Sequence, residues 1–170
     1  ALDLLLSTIP RLFQSIDVQF VILAQGDQDL EKQFTDLVAQ YPGRLGFKSE
    51  FSNQLAHLVY AGSDIFAMPS RYEPCGLGQM YAMRYGTIPV ARAVGGLVDT
   101  IEPYSRSTKS AQGFLFKKAD PNDLFEVLHS VFDIFRHRSD EFSRIQRNSM
   151  ERDFSWKISA SRYSQVFKTA

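Results

Sequence analysis

One cysteine, Cys75, stands in 170 residues. It leaves no partner for an internal disulfide and no multi-cysteine metal site, and it suits a reducing cytoplasm. Three histidines are present. His57 and His129 read as packing residues on helices, and His137 lies in a solvated "RHR" run. None is near Cys75 in sequence, so no base marks it as a nucleophile. Net charge is also missing: 19 basic residues balance 19 acidic ones. No overall field therefore draws the chain to nucleic acid or to an anionic membrane. No apolar run reaches membrane-spanning length. The opening "ALDLLLSTIPRLFQS" lacks the positive leader and cleavage site of a signal peptide. No G-x-G-x-x-G occurs, and "AQGD" (Ala24–Asp27) has too few glycines for a dinucleotide fingerprint. Repeats and low-complexity tracts are absent.

What remains is a chain that is 44% hydrophobic, long enough for one domain (residues 1–170) with a real core. Leu2, Leu5, Leu6, Ile9, Leu12 and Phe13 recur at helical spacing. "VQFVILAQG" (Val18–Gly26) is a short apolar run suited to a strand buried on both faces. Asp29–Gly43 carries a helical stripe of Leu30, Phe34, Leu37 and Val38, and "RLGFKS" is a weak strand candidate. Ser52–Ser63 predicts a helix capped by Ser52 or Asn53, and Asp64–Ser70 a buried strand stopped by Pro69. Gly76–Gly86 reads as a short helix ended by glycine, followed by strands at Thr87–Arg92 and Gly113–Lys118. Glu102–Gln112 is a loop. Beyond it "DPNDLFEVLHSVFDIFRHR", capped by Asp120 or Asn122, opens a helical C-terminus in which Phe125, Phe132 and Phe135 sit at core spacing. Short strands alternating with helices imply a parallel sheet with helices on both faces. In such sheets ligands bind beyond the carboxyl ends of the strands.

The stretch "SRYEPCGLGQMYAMRYGTIPVARAVGGLVDT" (Ser70–Thr100) begins at such an end. A helix starting near Gly76 leaves its first N–H groups unpaired and points its positive dipole end at the strand ends, which suits phosphate or sugar hydroxyls. Gly76 and Gly78 lack Cβ atoms, which lets a ligand approach the backbone. Pro74 stiffens the turn and holds Glu73 out of regular structure. A carboxylate there repels phosphate. It suits sugar hydroxyls, or positive charge at a reacting carbon. The residues alone thus suggest a phosphate-linked sugar donor, and equally allow a turn that serves packing only. "VGGLVDT" (Val94–Thr100) reads as a ligand loop or a bend.

"PSRYEPCGLGQMYAMRYGTIPVARAVGGLVDT" closely resembles the signature of bacterial glycogen synthases and plant starch synthases, retaining glucosyltransferases with two Rossmann-like domains facing across a cleft. "LDLLL…IP", "GD" at Gly26–Asp27, "YPG" at Tyr41–Gly43 and "DFSW" at Asp153–Trp156 fall in the family's order, so the likeness covers nearly the whole chain. The resemblance implies the Rossmann-like C-terminal half of a GT-B enzyme. It implies transfer of glucose from ADP-glucose, or UDP-glucose in some members, to the non-reducing end of an α-1,4-glucan with retention, without a cofactor or metal. Glu73 matches the family's essential acidic residue, which holds the donor sugar and supports an oxocarbenium-like transition state. Cys75, Gly76 and Leu77 match the turn lying against glucose and phosphates, and Gly78 the next helix position. Tyr81 stands where the wider glycosyltransferases have the second Glu of E-x7-E, as it does in the glycogen and starch synthase branch. Phe51 aligns with an aromatic residue that stacks near adenine.

The sequence departs from the family pattern at Ala24, where a Gly is usual, and at Val94, where a Thr hydroxyl is lost. The family's phosphate-binding Arg and Lys, its first strand and its acceptor-binding N-terminal domain precede "LDLLL". The expectation is therefore a C-terminal fragment that is inactive alone. Its strand near Val18–Ala24 should either pair with the strand near Asp64–Met68 or leave a gap for another chain. The helix in 153–170 is placed to pack toward the N-terminal domain. The expected partners are a nucleotide sugar and, through that domain, an α-glucan. The expected compartment is the cytoplasm, or a plastid for a plant starch synthase. Two alternatives remain: a related glycosyltransferase with another donor or acceptor, and a non-catalytic binding module that keeps the fold.

Overall fold

The computed structural model describes residues 1–169, apart from the side chains of Arg162 and Thr169. In chain order it contains α1 (Leu2–Ser15), β1 (Phe20–Leu23), α2 (Gln28–Gln40), β2 (Leu45–Lys48), α3 (Asn53–Gly62), β3 (Ile65–Met68) and α4 (Gly78–Tyr85). These are followed by β4 (Ile88–Arg92), α5 (Gly96–Thr100), β5 (Phe114–Phe116), α6 (Pro121–His137), α7 (Ser139–Glu151) and α8 (Trp156–Thr169). The caps follow local chemistry. Asp27, Ser52 and Asp120 each accept a hydrogen bond from a backbone N–H in the first turn of α2, α3 and α6, satisfying donors that the helix leaves orphaned. Pro121 opens α6, where no N–H is needed.

Every strand pairing is parallel. β1 lies beside β2 with Phe20 opposite Leu45. β4 is flanked by β3 and β5, with Ile65 opposite Ile88 and Val90 opposite Phe114. The alternative left open by the sequence is resolved as a gap: β1 and β3 do not pair, and the strands form a sheet of two and a sheet of three. The halves are joined across helices instead. α1 packs on α6, where Thr8 Oγ1 donates to the Pro121 carbonyl at 3.3 Å and Arg11 donates to Asn122 Oδ1 at 2.8 Å. Leu4, Ile9 and Leu12 of α1 share one buried core with Ile22, Phe34, Val90, Leu124 and Leu128.

A second, smaller cluster of Ala91, Leu97 and Ile101 lies under the carboxyl end of β4. It explains one element that glycine chemistry concealed. "VGGLVDT" is not merely a bend, because its last five residues form α5. Leu97 and Ile101 are four apart, both are buried, and they anchor that turn of helix. At the C-terminus α8 starts at Trp156, after Asp153 caps the backbone of Ser155. Ala170, the end of the 153–170 segment, lies outside the described residues.

Candidate active site

The turn Ser70–Leu77 leaves the carboxyl end of β3 and feeds α4, while Ala93–Gly95 leaves the carboxyl end of the neighbouring β4 and feeds α5. Parallel pairing of β3 with β4 therefore puts "EPCG" and "VGG" side by side. Their contact is backbone on backbone: Gly96 N–H donates to the carbonyls of Glu73 (3.3 Å) and Pro74 (3.0 Å). Both glycines are required by that closeness. A Cβ on Gly95 would sit 2.0 Å from the Glu73 carbonyl oxygen, and one on Gly96 2.7 Å from Cys75 Cα. Gly95 also has φ +49°, a conformation that side chains disfavour.

Two polar side chains fix the turn from beneath. Gln79 is fully buried in α4, and its Nε2 donates to the carbonyls of Cys75 and Gly76 and to Thr100 Oγ1, each at 3.1 Å. Thr100 Oγ1 in turn donates to the Gly96 carbonyl at 2.7 Å. The Gln79 amide thus ties the turn to α5. Its Oε1 is buried without a hydrogen-bond partner among the described residues. Arg92, at the end of β4, donates through Nε to the Ser70 carbonyl at 2.7 Å and through Nη2 to the Arg71 carbonyl. Its charge is spent on holding the loop. Sequence reasoning passed over both residues. The available signals were a glutamine on the buried stripe of a short helix and an arginine closing an apolar strand.

Glu73 is half-buried, with Ser70 Oγ donating to its Oε2 at 3.3 Å. Cys75 is an exposed free thiol, and Leu77 is exposed beside it. Leu77 caps α4 without a side-chain hydrogen bond, so no cap side chain satisfies the N–H groups of the first turn. Gly76 has φ +73°, and the space its Cβ would take is filled by the Gln79 amide. The space beside Gly78 is filled by the Tyr60 hydroxyl and the Phe66 ring. Both glycines thus let protein groups close around the turn. Glu73, Cys75, Gly76, Leu77 and Gly78 form one continuous strip with the Val94–Gly96 loop against it.

Tyr81 lies one turn further along α4, in an aromatic group with α3: its ring is 5.4 Å from that of His57 and 6.2 Å from that of Tyr60. The Tyr85 hydroxyl approaches His57 Nδ1 at 3.2 Å. Burial, then the Tyr81 phenol, push the Tyr60 pKa above its ordinary value. Phe51 is 85% exposed on the loop after β2. At the carboxyl end of β1, the Gly26 N–H donates to Glu31 Oε1 at 2.8 Å, the main cause of that carboxyl's lowered pKa. No group of His, Cys, Asp or Glu among the described residues is arranged to hold a metal ion. Among the described residues no helix is long and apolar enough to cross a membrane.

The chain matches the family model described as glycosyl transferases group 1 over residues 1–133. It is 43% identical over 169 residues to a glycogen synthase of Desulforudis audaxviator, covering 99% of this chain and 34% of that protein. A Thermotoga maritima glycogen synthase is also 43% identical over 169 residues, with 35% of its length covered. The chain thus spans about a third of the length of these curated relatives. Among solved structures, the catalytic domain of starch synthase IV from Arabidopsis thaliana, bound to ADP and acarbose, superposes with a TM-score of 0.87. Its identity is 32%, over 98% of this chain and 35% of that one. A sucrose-phosphate synthase from Thermosynechococcus elongatus shares the fold at a TM-score of 0.72 and 23% identity.

Proposed function

This chain belongs to the group 1 glycosyl transferases, and from that premise we propose that residues 1–170 form the nucleotide-sugar-binding half of a retaining glucosyltransferase of the glycogen and starch synthase kind. The observation that carries the reading is the doubled backbone at the site: Gly95 and Gly96 pressed on Glu73–Cys75, with the Gln79 amide beneath. This fixes a carboxylate beside the uncapped N–H groups of α4. The N–H groups and dipole of α4 suit the phosphates of a nucleoside diphosphate, and Glu73 suits the hydroxyls of the attached sugar. As the sugar–phosphate bond breaks, positive charge grows at the anomeric carbon and negative charge on the leaving phosphate. Groups already fixed beside both stabilise that separation without reorganising.

The donor is ADP-glucose, with UDP-glucose the second choice. The support is the likeness to the starch synthase bound to ADP and to the glycogen synthases. Phe51 is the aromatic residue offered to the base, and Tyr81, at the position of the second Glu of E-x7-E, lines the nucleotide-sugar site. No cofactor or metal takes part. The acceptor is an α-1,4-glucan, bound by polypeptide outside residues 1–170, so the 170-residue chain alone does not elongate glucan. The compartment is the cytoplasm. The curated relatives named above are bacterial, and nothing in them favours a plastid.

Titrating the isotope-labelled chain with ADP-glucose tests the reading. Amide shifts should centre on Cys75–Gly78 and Gly95–Gly96 and saturate in the millimolar range, and ADP alone should leave Glu73 and its neighbours less perturbed. No perturbation of the strip by ADP-glucose would remove the donor-site reading and leave a binding module that keeps only the fold. Elongation of glucan by the 170-residue chain would show that the acceptor site lies within it.

A further inference from the structure

Among the described residues one buried side-chain polar atom has no hydrogen-bond partner, and it lies in the site: Oε1 of Gln79, on a residue with no exposed surface. Leaving such an atom unpaired is costly, and an apolar side chain of the same shape would avoid the cost. A polar group kept in a core on those terms calls for a reason.

The neighbours explain which end of the amide is orphaned. The Thr100 hydroxyl donates its proton to the Gly96 carbonyl at 2.7 Å, so toward Gln79 it can only accept. The Cys75 and Gly76 carbonyls can only accept as well. All three oxygens stand 3.1 Å from Nε2. The amide must turn its NH2 group to them. Oε1 is left 2.5 Å from where a Cβ on Gly76 would lie.

This orientation reaches the far side of the turn. A trans peptide carries its C=O and N–H on opposite sides, and no described peptide bond is cis. The Cys75 carbonyl, turned toward Gln79, sets the Gly76 N–H on the side away from it. The Gly76 carbonyl does the same for the Leu77 N–H. Gly76 is left-handed at φ +73° and Leu77 right-handed at φ −116°, ψ −28°. Such alternation gathers successive N–H groups into one anion-receiving concavity. Among the described residues no acceptor takes the N–H groups of Gly76, Leu77 or Gly78. Cys75 and Leu77 are exposed and Gln79 is buried, so the turn lies between surface and core.

The same amide reaches the second loop. Thr100 holds the Gly96 carbonyl, and the Gly96 N–H donates to the carbonyls of Glu73 and Pro74. The hydrogen bonds close a ring from Gln79 through Thr100, Gly96 and the Glu73–Pro74 backbone to Cys75 and Gly76. We propose that Gln79 and Thr100 are the positioning residues of the donor site. The Gln79 amide turns the Gly76 and Leu77 N–H groups toward the oxygens of a nucleoside diphosphate sugar. The Thr100 hydroxyl sets the distance of the Gly95–Gly96 loop from that turn and from Glu73. Both act through backbone, and their role rests on the donor-site reading above.

The test measures ADP-glucose binding to the 170-residue chain, by amide shifts at Cys75–Gly78, under conditions where each variant compared is folded. Gln79→Met and Thr100→Val should each bind about tenfold more weakly or worse. Thr100→Ser, which keeps the hydroxyl, should recover most of that loss. Asp120→Ala, at the cap of α6, is the control for lost stability alone and should bind within about twofold of the parent. Without ligand, Thr100→Val should speed hydrogen exchange of the Gln79 side-chain amide, and Thr100→Ser should slow it again. Equal affinity of Gln79→Met and the parent would overturn the proposal and leave the donor site standing. So would equal losses in Gln79→Met and Asp120→Ala, since the amide would then only support the fold. If Gln79→Met does not fold, Thr100→Val against Thr100→Ser decides, and equal affinities of those two would overturn the proposal. A parent chain that does not respond to ADP-glucose would strike the donor-site reading itself, and the positioning role with it.

Discussion

At the scale of single residues, the site depends on how little room is left around the Glu73 turn. Gly95→Ala would place a Cβ 2.0 Å from the Glu73 carbonyl oxygen at φ +49°. The neighbour is backbone, so the two loops must separate. The expected cost exceeds about 1 kcal/mol, and the amide shifts induced by ADP-glucose at Cys75–Gly78 should weaken. Gly26→Ala is the matched control, since a Cβ there meets nothing within 4 Å and its φ is not positive. It should stay within about 0.5 kcal/mol of the parent in urea unfolding. Equal losses in the two variants would show that close approach at Gly95 is not what holds the turn. Gln79→Met keeps roughly the shape and removes the donor to Cys75, Gly76 and Thr100. Leaving those acceptors buried should cost about 1–3 kcal/mol, offset in part because the unpartnered Oε1 also goes. A Met variant as stable as the parent would show that the amide contributes nothing. The glycines of this strip were legible as turn residues. Their physical reason was not, because Gln79, Tyr60 and Phe66 reach them only after folding.

At the scale of elements, hydrophobic periodicity located the helices and strands, and cap chemistry sharpened their ends. Asp120 was one of two cap candidates for α6, and its Oδ1 accepts from Asn122 N at 2.8 Å and Asp123 N at 3.4 Å. Asp120→Ala should lower stability by about 1 kcal/mol, read as a shift in the urea midpoint, while Asn122→Ala should do less. What periodicity missed was α5, since five residues behind a Gly-Gly pair give too short a pattern. A cross-element ion pair was equally invisible: Arg71, in the site turn, binds Asp3 of α1 at 2.6 Å. The chain's amino group first, and Arg71 second, lower the Asp3 pKa from 3.8 to about 2. A carboxyl whose folded pKa lies below its unfolded one stabilises the fold above the unfolded value. That contribution fades as pH falls from about 4 toward 2. Both side chains are about half exposed, at 46% and 53%, so screening holds the effect below about 1 kcal/mol. Between pH 5 and pH 2.5 the parent should lose more stability than Asp3→Asn. Equal losses would remove the pair from the account.

At the scale of the whole molecule, the chain is two small sheets held together by helices. The order of elements was readable from the sequence, because each short strand is followed by a helix of adequate length. The split was readable only as an alternative, because whether β1 meets β3 depends on what lies between them in space. Among the described residues no backbone pairing crosses that space, so cooperativity must pass through the α1–α6 contact and the shared core. Leu12 is fully buried in α1 within that core. Leu12→Ala should cost about 2–5 kcal/mol through lost transfer energy and a residual cavity. The loss should not be uniform. β1 and β2 are attached to the rest mainly through α1 and α2, whereas β3, β4 and β5 retain α4, α6 and α7. Native-state hydrogen exchange on the variant should therefore show the ladder amides of Ile22 and Lys48 opening at lower free energy than those of Val90 and Phe116. A uniform fall would mean that the halves unfold as one unit despite the gap.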